Sequence, residues 1–561
     1  MMAGWMRSGW FMAALAAVAL WCLPPQWYPD WLAARLDAWL GPPAYRPLPA
    51  SAPVEAEPPE AYCPDTHADW RSAQRIAGVE VRPAQACEPD NPFAVAAFVR
   101  GTNNVPADVL MASGLTPDAV VKGADLDGDG DPDEIHIRLE VVELNGASPE
   151  LPEPVTQYAI APGIQPGFWV FAPKLAGMST ANAESLQARR MLRLPSPAIR
   201  VEQGDRVRIT LENSHYMPHT LHLHGSDHPF RDVDGEDNDG VPIASGLPVM
   251  PGQARTYELE PRAAGTKFYH CHVQPHVHVM MGLQGLFVIE ENRADNWVQT
   301  LNVGAGQVRA PSRAVAEDYD GEYDLHYTDA DRELNQRVQV SNDPRLVTAA
   351  MHRDYDATEA SSDYFLLNGR SFPYTFRESL VVVEPGQRIR LRVVNGGRDG
   401  IALHTHGHTV TITHRDGVPL PAGAAETRDV VWIATAQRLD LSLSTANDGV
   451  GAYGPGIWLF HDHGSKAVTT DGLGPGGHIS AIVYQEYLAA DGWPRTAGVS
   501  WDPYFTTAYY RRDWPVWEQY APGRFAAPDT DRALLWRALA FGLLAGIFFA
   551  LLTARLAGRR R

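Results

Sequence analysis

One short segment combines three side chains that bind soft metal ions. Cys271 is followed by His276 after five positions and by Met281 after ten. A thiolate, an imidazole and a weak thioether form a ligand set that favours copper. We therefore predict a mononuclear copper site here, with Met281 as the weak ligand and Met280 as the adjacent alternative.

Two further histidines flank this cysteine directly in the chain. Neighbouring side chains of a β-strand point to opposite faces, so His270 and His272 should point away from Cys271. One strand can therefore hold a metal on one face and supply imidazoles to a second metal group on the other.

Histidine pairs of the form H-x-H recur along the chain. Eight imidazoles are more than one metal ion needs, and imidazole is a good copper ligand. The pairs are His222 with His224, His270 with His272, His404 with His406, and His461 with His463.

An internal repeat explains the four pairs. Residues 201–213 match residues 383–395, and the same shift carries the first histidine pair onto the third. A similar shift carries the second pair onto the fourth. The second copy lacks the mononuclear ligands, because Ile401, Asp462 and Ala467 stand where the first copy has His219, Cys271 and His276. Asp462 is either a filler or a proton-delivering group.

Together these motifs resemble those of the multicopper oxidase family, which includes laccases, ascorbate oxidase and ceruloplasmin. The likeness covers roughly residues 134–490. It implies an all-β chain with two tandem cupredoxin-like Greek-key β-sandwiches. The cysteine-bearing copy comes first, which is similar to some two-domain, trimeric members.

The resemblance also implies a ligand role for each histidine in these motifs. The type 1 copper would be held by His219, Cys271, His276 and Met281, and the type 2 copper by His222 and His404. The type 3 pair would be held by His224, His270, His272, His406, His461 and His463. His215, His228, His278, His408 and His414 are expected to be ordinary histidines.

The family chemistry implies four copper ions and dioxygen as the electron acceptor. Electrons from a reductant would pass from Cys271 to His270 and His272, where dioxygen is reduced to water. A net charge of −20 argues against nucleic acid as a partner and favours cations such as Cu(I), Fe(II) or Mn(II), although phenols stay open.

Two other functions compete with this interpretation. A copper-binding or copper-resistance protein without turnover would not need a separate electron-accepting site. A two-domain copper nitrite reductase needs fewer clustered histidines than the eight present here. The short connection between the sandwiches predicts homotrimers, in which the first domain of one subunit faces the second domain of the next.

Both ends of the chain carry apolar stretches that predict membrane association. Residues 10–23 read as a signal peptide or an anchor, and residues 538–554 as a transmembrane helix followed by arginines, with a buried soluble helix as the alternative. The copper-binding part would then lie on the periplasmic or extracellular side. Cys63 and Cys87 are either a disulfide, which fits that location, or two free thiols.

The predicted organisation has seven parts, and residues 200–490 show no sustained helical period. The parts are a signal segment (1–24), an amphipathic segment and linker (25–60), an extra module (61–133), two sandwiches (134–300 and 301–490), a Trp/Tyr-rich segment (491–532) and a transmembrane helix (533–557).

The extra module ends in an acidic loop. Carboxylates at every second position, with interspersed glycines, resemble a calcium loop, although His136 stands where an EF-hand has glutamate. The alternative is a solvated acidic turn. The five carboxylates are Asp125, Asp127, Asp129, Asp131 and Asp133.

Overall fold

The computed structural model describes the two repeats and their immediate surroundings. The described residues are 74–76, 79–81, 120–147, 156–174, 192–294, 296, 300–308, 319–341, 343–489, 492–496, 501–510 and short helical stretches between 542 and 555.

Several sequence predictions lie outside these residues, including the N-terminal signal segment, the amphipathic segment with its linker, and the Cys63–Cys87 pair. In the part that is described, no helix has the length and apolar character needed to cross a membrane. The two membrane segments therefore stay predictions.

The chain divides into two compact units, and both sandwiches belong to the unit that comprises residues 56–498 and 504–510. A small hairpin of β1 (Gln74–Ile76) and β2 (Val79–Val81) precedes them.

Among the residues that the structure describes, the first sandwich contains ten strands in two sheets. Sheet A has the order β3-β4-β7-β9 with β5 beside β4, and sheet B has the order β12-β6-β11-β10-β8. Their bounds are β3 (Val120–Lys122), β4 (Glu134–Leu144), β5 (Phe168–Pro173), β6 (Ala198–Glu202), β7 (Arg206–Glu212), β8 (His222–His224), β9 (Ala254–Leu259), β10 (Gly265–His270), β11 (Gln284–Glu290) and β12 (Leu301–Asn302).

The second sandwich repeats this plan. Sheet C has the order β13-β14-β17-β23-β19-β20 with β15 beside β14 and β21 beside β19, and sheet D has the order β16-β25-β24-β18-β22. The bounds are β13 (Gly306–Gln307), β14 (Gly321–Ala330), β15 (Tyr364–Leu367), β16 (Val381–Val383), β17 (Arg388–Asn395), β18 (Ile401–Thr405), β19 (Val410–Arg415), β20 (Val418–Pro419), β21 (Glu426–Arg428), β22 (Val430–Ile433), β23 (Arg438–Ser444), β24 (Ile457–Asp462) and β25 (Ile479–Tyr484).

The pairing within the sheets matches the sequence repeat. β4 is parallel to β7, which is antiparallel to β9, and β14, β17 and β23 have the same relation. The strand order β6-β11-β10-β8 likewise corresponds to β16-β25-β24-β18. The mostly β architecture is therefore confirmed and is built from two copies of one unit.

The four sheets stack in the order A, B, C, D. Apolar residues of sheets A and B share one core, and those of sheets C and D share another. A smaller apolar cluster between the two sandwiches joins Phe268 and Val288 of sheet B to Val394 of sheet C. Sheets A and D are consequently the outer layers.

Short helices interrupt the strands. They are α1 (Pro275–His278), α2 (Arg332–Val340), α3 (Pro344–His352), α4 (Thr375–Glu378) and α5 (Thr507–Tyr510), with 3-10 turns at Ala422–Ala424, Gln485–Tyr487 and Asp502–Phe505. Residues 200–490 show no sustained helical period in the sequence, yet the structure contains two nine-residue helices there, α2 and α3. These helices begin at side-chain caps from Asp331 and Asp343.

The sandwich limits also differ from those predicted. β3 pairs with β4, so the first sheet takes in residues assigned to the extra module. β12 pairs with β6, so residues 301 and 302 complete the first sandwich and not the second.

Candidate metal centres

Three side chains converge on a fully buried site in the first sandwich, which we call the cysteine site. They are His219, Cys271 and His278, and their ligand atoms lie within 4.8 Å of one another. The Cys271 sulfur is 3.4 Å from Nδ1 of His278 and 3.8 Å from Nδ1 of His219.

The structure replaces His276 with His278 at this site. Gln274 has a left-handed backbone, and Pro275 then begins the single helical turn of α1. Positions two apart on a helix point in nearly opposite directions. His278 is therefore buried, whereas His276 is exposed. The prediction of His276 as a ligand relied on linear spacing and is wrong about this geometry.

The protonation states in the cysteine site suit a metal ion. Burial raises the pKa of the Cys271 thiol to about 11, so without a cation the buried sulfur keeps its proton. Burial, followed by repulsion from neighbouring histidines, holds the pKa values of His219 and His278 well below 6.5. Neutral imidazole is the form that binds metals, and a metal ion would displace the thiol proton.

The site is lined by apolar and aromatic side chains. Met281 is fully buried in the same core, and Met280 packs against that core from a partly buried position. The ring of Trp169 meets His219 and His278 edge to face, with centroids 5.9 and 5.1 Å apart. The donor set of one sulfur, two imidazoles and a buried thioether fits copper.

A hydrogen-bonded group of side chains contacts the Nε2 side of His219, opposite the Nδ1 atom that faces Cys271. Nδ1 of His215 lies 2.9 Å from Nε2 of His219. Glu143 accepts hydrogen bonds from Nε1 of Trp169 and from the Tyr216 hydroxyl. Such outer partners fix the orientation of a metal-binding imidazole. His215 is thus part of the site, contrary to the expectation that it is an ordinary histidine.

Four imidazoles of the first sandwich form what we call the first histidine set, namely His222, His224, His270 and His272. His222 and His224 on β8 face β10, where Nε2 of His224 lies 2.9 Å from Nε2 of His270. The rings of His222 and His272 are 5.2 Å apart. Burial, with repulsion among these rings, lowers the pKa of His270 to about 3 and that of His224 to about 4.

The corresponding imidazoles of the second sandwich form the second histidine set. Nε2 of His406 lies 3.2 Å from Nε2 of His461, and the ring of His404 is 5.6 Å from that of His463. In this set the pKa values of His406 and His461 are lowered, first by burial.

Main-chain carbonyls orient the imidazoles in both sets. Nδ1 of His222 lies 2.8 Å from the carbonyl oxygen of Asp239, and Nδ1 of His404 is 2.9 Å from that of Asp429. His270 and His461 make the same contact with the residue that follows each of them. When Nδ1 donates to a carbonyl, Nε2 is left with the lone pair that a metal ion binds.

Within one chain, the two histidine sets are separated in space. Across the described residues, no imidazole of one set contacts an imidazole of the other. The first set belongs to sheet B, whereas His404 and His406 alternate with buried Leu403 and Thr405 on sheet D and so occupy its outer face. Packed sheets are about 10 Å apart, so the second sandwich separates the two sets.

The Asp462 position has a structural role. Its carboxylate accepts hydrogen bonds from the backbone N–H groups of Ala402 and Gly464 and lies 3.5 Å from Nδ1 of His478. Burial opposes ionisation, but the His478 contact and these N–H groups outweigh it and lower the pKa of Asp462. In the second sandwich, a hydrogen-bonded anion therefore occupies the position that corresponds to Cys271 in the repeat.

The acidic loop is only partly convergent. Carboxylate oxygens of Asp125, Asp127 and Asp133 lie within 4.8 Å of one another. Asp131 instead accepts a hydrogen bond from the backbone N–H of Asn296 and is buried, and Asp129 is not in the convergent group.

Comparisons with known proteins match both sandwiches. Two family models, each described as "Multicopper oxidase", match residues 192–294 and 329–467. The multicopper oxidase MmcO of Mycobacterium tuberculosis is 25% identical over 263 residues, which is 45% of this chain and 47% of that protein. Laccase-2 of Botryotinia fuckeliana is 26% identical over 252 residues, 44% of this chain and 38% of that protein. The chain thus spans less than half the length of these relatives.

Two solved structures also match part of this chain. The blue copper oxidase from Nitrosomonas europaea is 24% identical, with a TM-score of 0.46, and the match covers 67% of this chain and 92% of that one. A second multicopper oxidase structure, mgLAC, is 23% identical with the same TM-score and covers 68% of this chain and 95% of that one.

Proposed function

Because this chain belongs to the multicopper oxidase family, we propose that it is a copper-dependent oxidase that uses dioxygen as its electron acceptor. When bound, copper ions supply the one-electron oxidation of a reductant and the four-electron reduction of dioxygen to water. The chain's own residues fix the positions of the donors and exclude water from the cysteine site.

The observation that carries this proposal is the covalent link between the cysteine site and the first histidine set. Cys271 is buried against His219 and His278, and its two neighbours in the chain belong to that set. His270 and His272 thus connect the two groups through a few backbone bonds. A copper-storage protein has no need for such a connection.

Oxygen uptake by the copper-loaded full chain tests this function. We expect Cys271→Ser to remove the intense blue absorbance and to lower oxygen uptake about 100-fold or more, because the electron-accepting thiolate is lost. Copper analysis of the same variant serves as the control, since the histidine sets should keep their copper. Uptake at the wild-type rate in the colourless variant would refute the proposal.

We further propose that the oxygen-reducing site forms between two copies of the chain in a closed homotrimer. The second histidine set lies on an outer sheet face, where β22 also exposes Val430 and Trp432. The loop after β8, whose Asp239 carbonyl contacts His222 of the first set, exposes Val233, Ile243 and Leu247. Exposed apolar side chains on these two elements support head-to-tail association that brings the halves together.

Mixing two inactive variants tests the shared site. One carries His222→Ala with His224→Ala, and the other carries His404→Ala with His406→Ala. Mixed oligomers should recover part of the oxygen uptake because some interfaces then combine two intact halves. An active wild-type monomer in ultracentrifugation, with no recovery on mixing, would show that each chain builds its own site.

The acidic loop is a proposed calcium site, supported by the convergence of Asp125, Asp127 and Asp133. Calcium that binds only the folded chain raises the melting temperature. We expect this increase in the wild type and not in Asp127→Asn. An equal increase in both proteins would show that calcium binds elsewhere, and the loop would then be a solvated acidic turn.

A further inference from the structure

One carboxylate beside the cysteine site is shared by three neighbouring side chains. It belongs to Glu143, near the end of β4. Nε1 of Trp169 donates to Oε2 of Glu143 at 2.9 Å, and the Tyr216 hydroxyl donates to the same oxygen. Nε2 of His215 lies 3.6 Å from that oxygen, which is too long for a hydrogen bond but close enough for electrostatic attraction. Glu143 therefore anchors two rings and places a charge next to a third.

These rings pack against the imidazoles of the cysteine site. The Trp169 ring meets His219 and His278 edge to face, and its centroid lies 5.0 Å from that of His215. The Tyr216 ring packs on the His215 ring, with centroids 4.0 Å apart. A change at the shared carboxylate is therefore passed to the cysteine site by direct contact.

The hydrogen atoms of two histidines define an ordered chain from this carboxylate to the cysteine site. The backbone N–H of Met217 points at Nδ1 of His215, 3.4 Å away, so this nitrogen is an acceptor. The His215 hydrogen is then on Nε2, the atom that faces Glu143. When a metal ion takes Nδ1 of His219, the hydrogen on Nε2 of that ring points at Nδ1 of His215, 2.9 Å away. The His219 ring is therefore linked to Glu143 through a single imidazole.

Few other groups compensate the charge of this carboxylate. Only 12% of the Glu143 side chain is exposed to solvent, and among the described residues no lysine or arginine pairs with it. Burial, followed by the charge of Glu143, raises the pKa of Tyr216, so the hydroxyl stays a hydrogen-bond donor. A poorly hydrated charge acts over a longer distance than one at the surface. The Glu143 charge should therefore act on an ion in the cysteine site.

We propose that Glu143 is a positioning residue that lowers the reduction potential of the copper ion bound at the cysteine site. This inference rests on the proposed oxidase function. A nearby negative charge stabilises Cu(II) relative to Cu(I), because the oxidised ion carries the larger positive charge. The hydrogen-bond chain acts in the same sense, since an N–H that donates makes its imidazole a stronger metal ligand.

A lower potential has opposite effects on the two electron-transfer steps. It weakens the driving force for taking an electron from the reductant and strengthens the driving force for passing that electron toward dioxygen. Glu143 thereby favours reductants that give up an electron readily.

Equilibrium reduction of the copper-loaded full chain, at a fixed potential set by a redox mediator, tests this role. The readout is the ratio of reduced to oxidised blue copper. Glu143→Gln has nearly the same shape and can still accept from Trp169 and Tyr216, but it lacks the charge. We expect this variant to stay blue and to raise the ratio about tenfold. Glu260→Gln, at an exposed glutamate of the same sandwich, is the matched control and should leave the ratio unchanged.

A second substitution separates charge from packing. Glu143→Asp keeps the negative charge but shortens the side chain, so its ratio should lie closer to that of the wild type than to that of Glu143→Gln. Two results would overturn the inference. One is a ratio in Glu143→Gln that lies within about twofold of the control or below it. The other is an equal rise in both variants, which would indicate a general structural effect.

Tyr216→Phe covers the case in which Glu143→Gln fails to fold. It removes a hydrogen-bond donor that partly screens the Glu143 charge, so the blue copper should become harder to reduce and the ratio should fall. A rise or an unchanged ratio in this variant would overturn the inference. A wild type that never becomes blue would instead refute the proposed function, so the two failures are distinguishable.

Discussion

At the scale of single residues, metal binding at the cysteine site depends on which side chains reach Cys271. The sulfur contacts His278 and His219, each of which has an outer histidine partner, His352 and His215 respectively. These outer contacts leave Nδ1 of each inner imidazole facing the sulfur. The cysteine site is therefore a preorganised donor set.

Substitution of the two candidate histidines separates the structural assignment from the spacing-based one. We expect His278→Ala to abolish the blue absorbance, because it removes a donor 3.4 Å from the sulfur. His276→Ala should keep the band, since His276 is exposed. Visible and spin-resonance spectra of both copper-loaded variants give the answer, and the reverse pattern would restore His276 as the ligand.

The sequence predicted the parts of the site that follow from strand alternation. On β8, His222 and His224 share a face because the side-chain period of a strand is two. The sequence-based choice of His276 does not match the structure, because the helical turn that begins at Pro275 changes the side-chain period from that of a strand to that of a helix. Pro275 at the first helical position was the available signal. No local pattern indicated that His352 would meet His278 from another domain.

At the scale of elements, buried charges fix how sheets B and C meet. Arg392 on β17 donates to Glu290 on β11 at 3.0 Å and also pairs with Glu322 and Asp440. Arg200 on β6 of sheet B donates to Asp324 on β14 of sheet C. These groups are nearly inaccessible to water, so each depends on its partners.

Removal of one cation from this network should be costly. We expect Arg392→Met to lower the free energy of unfolding by about 3–5 kcal/mol, because three carboxylates lose a buried partner. Arg293→Met, in an exposed ion pair with Glu291, is the control and should change stability little. Denaturant unfolding measures both. A loss below about 1 kcal/mol for Arg392→Met would show that the network adds no stability.

The carboxyl group of Asp205 makes stability depend on pH. Burial raises its pKa from 3.8 to about 8. The folded chain therefore binds a proton that the unfolded chain has lost between these values, so this contribution to stability falls as pH rises from about 4 to 8. We expect Asp205→Asn to make the unfolding free energy decline less over this range. Denaturant unfolding at several pH values measures the slope, and an unchanged slope would contradict the assignment.

At the scale of the whole molecule, the layer order A, B, C, D keeps the two histidine sets apart within one chain. The repeat in sequence predicted both sets but not the sheet face that each occupies. Sheet D exposes Trp432, at 63% of its possible area, beside the second set. Such an apolar surface fits contact with another copy.

A charge on this surface should prevent association. We expect Trp432→Glu to shift the chain toward monomers in ultracentrifugation and to lower oxygen uptake, while the blue absorbance of the cysteine site stays. Leu346→Glu, an exposed leucine on α3, is the matched control and should assemble normally. Intact oligomers of Trp432→Glu would place the interface elsewhere.

We propose that one cysteine site and two histidine sets together hold four copper ions for each chain. Copper analysis of the loaded full chain, combined with visible and spin-resonance spectra, tests this most directly. We expect four copper ions per polypeptide, one of them blue. A pure, fully loaded protein with fewer than four copper ions, or without a blue centre, would contradict it.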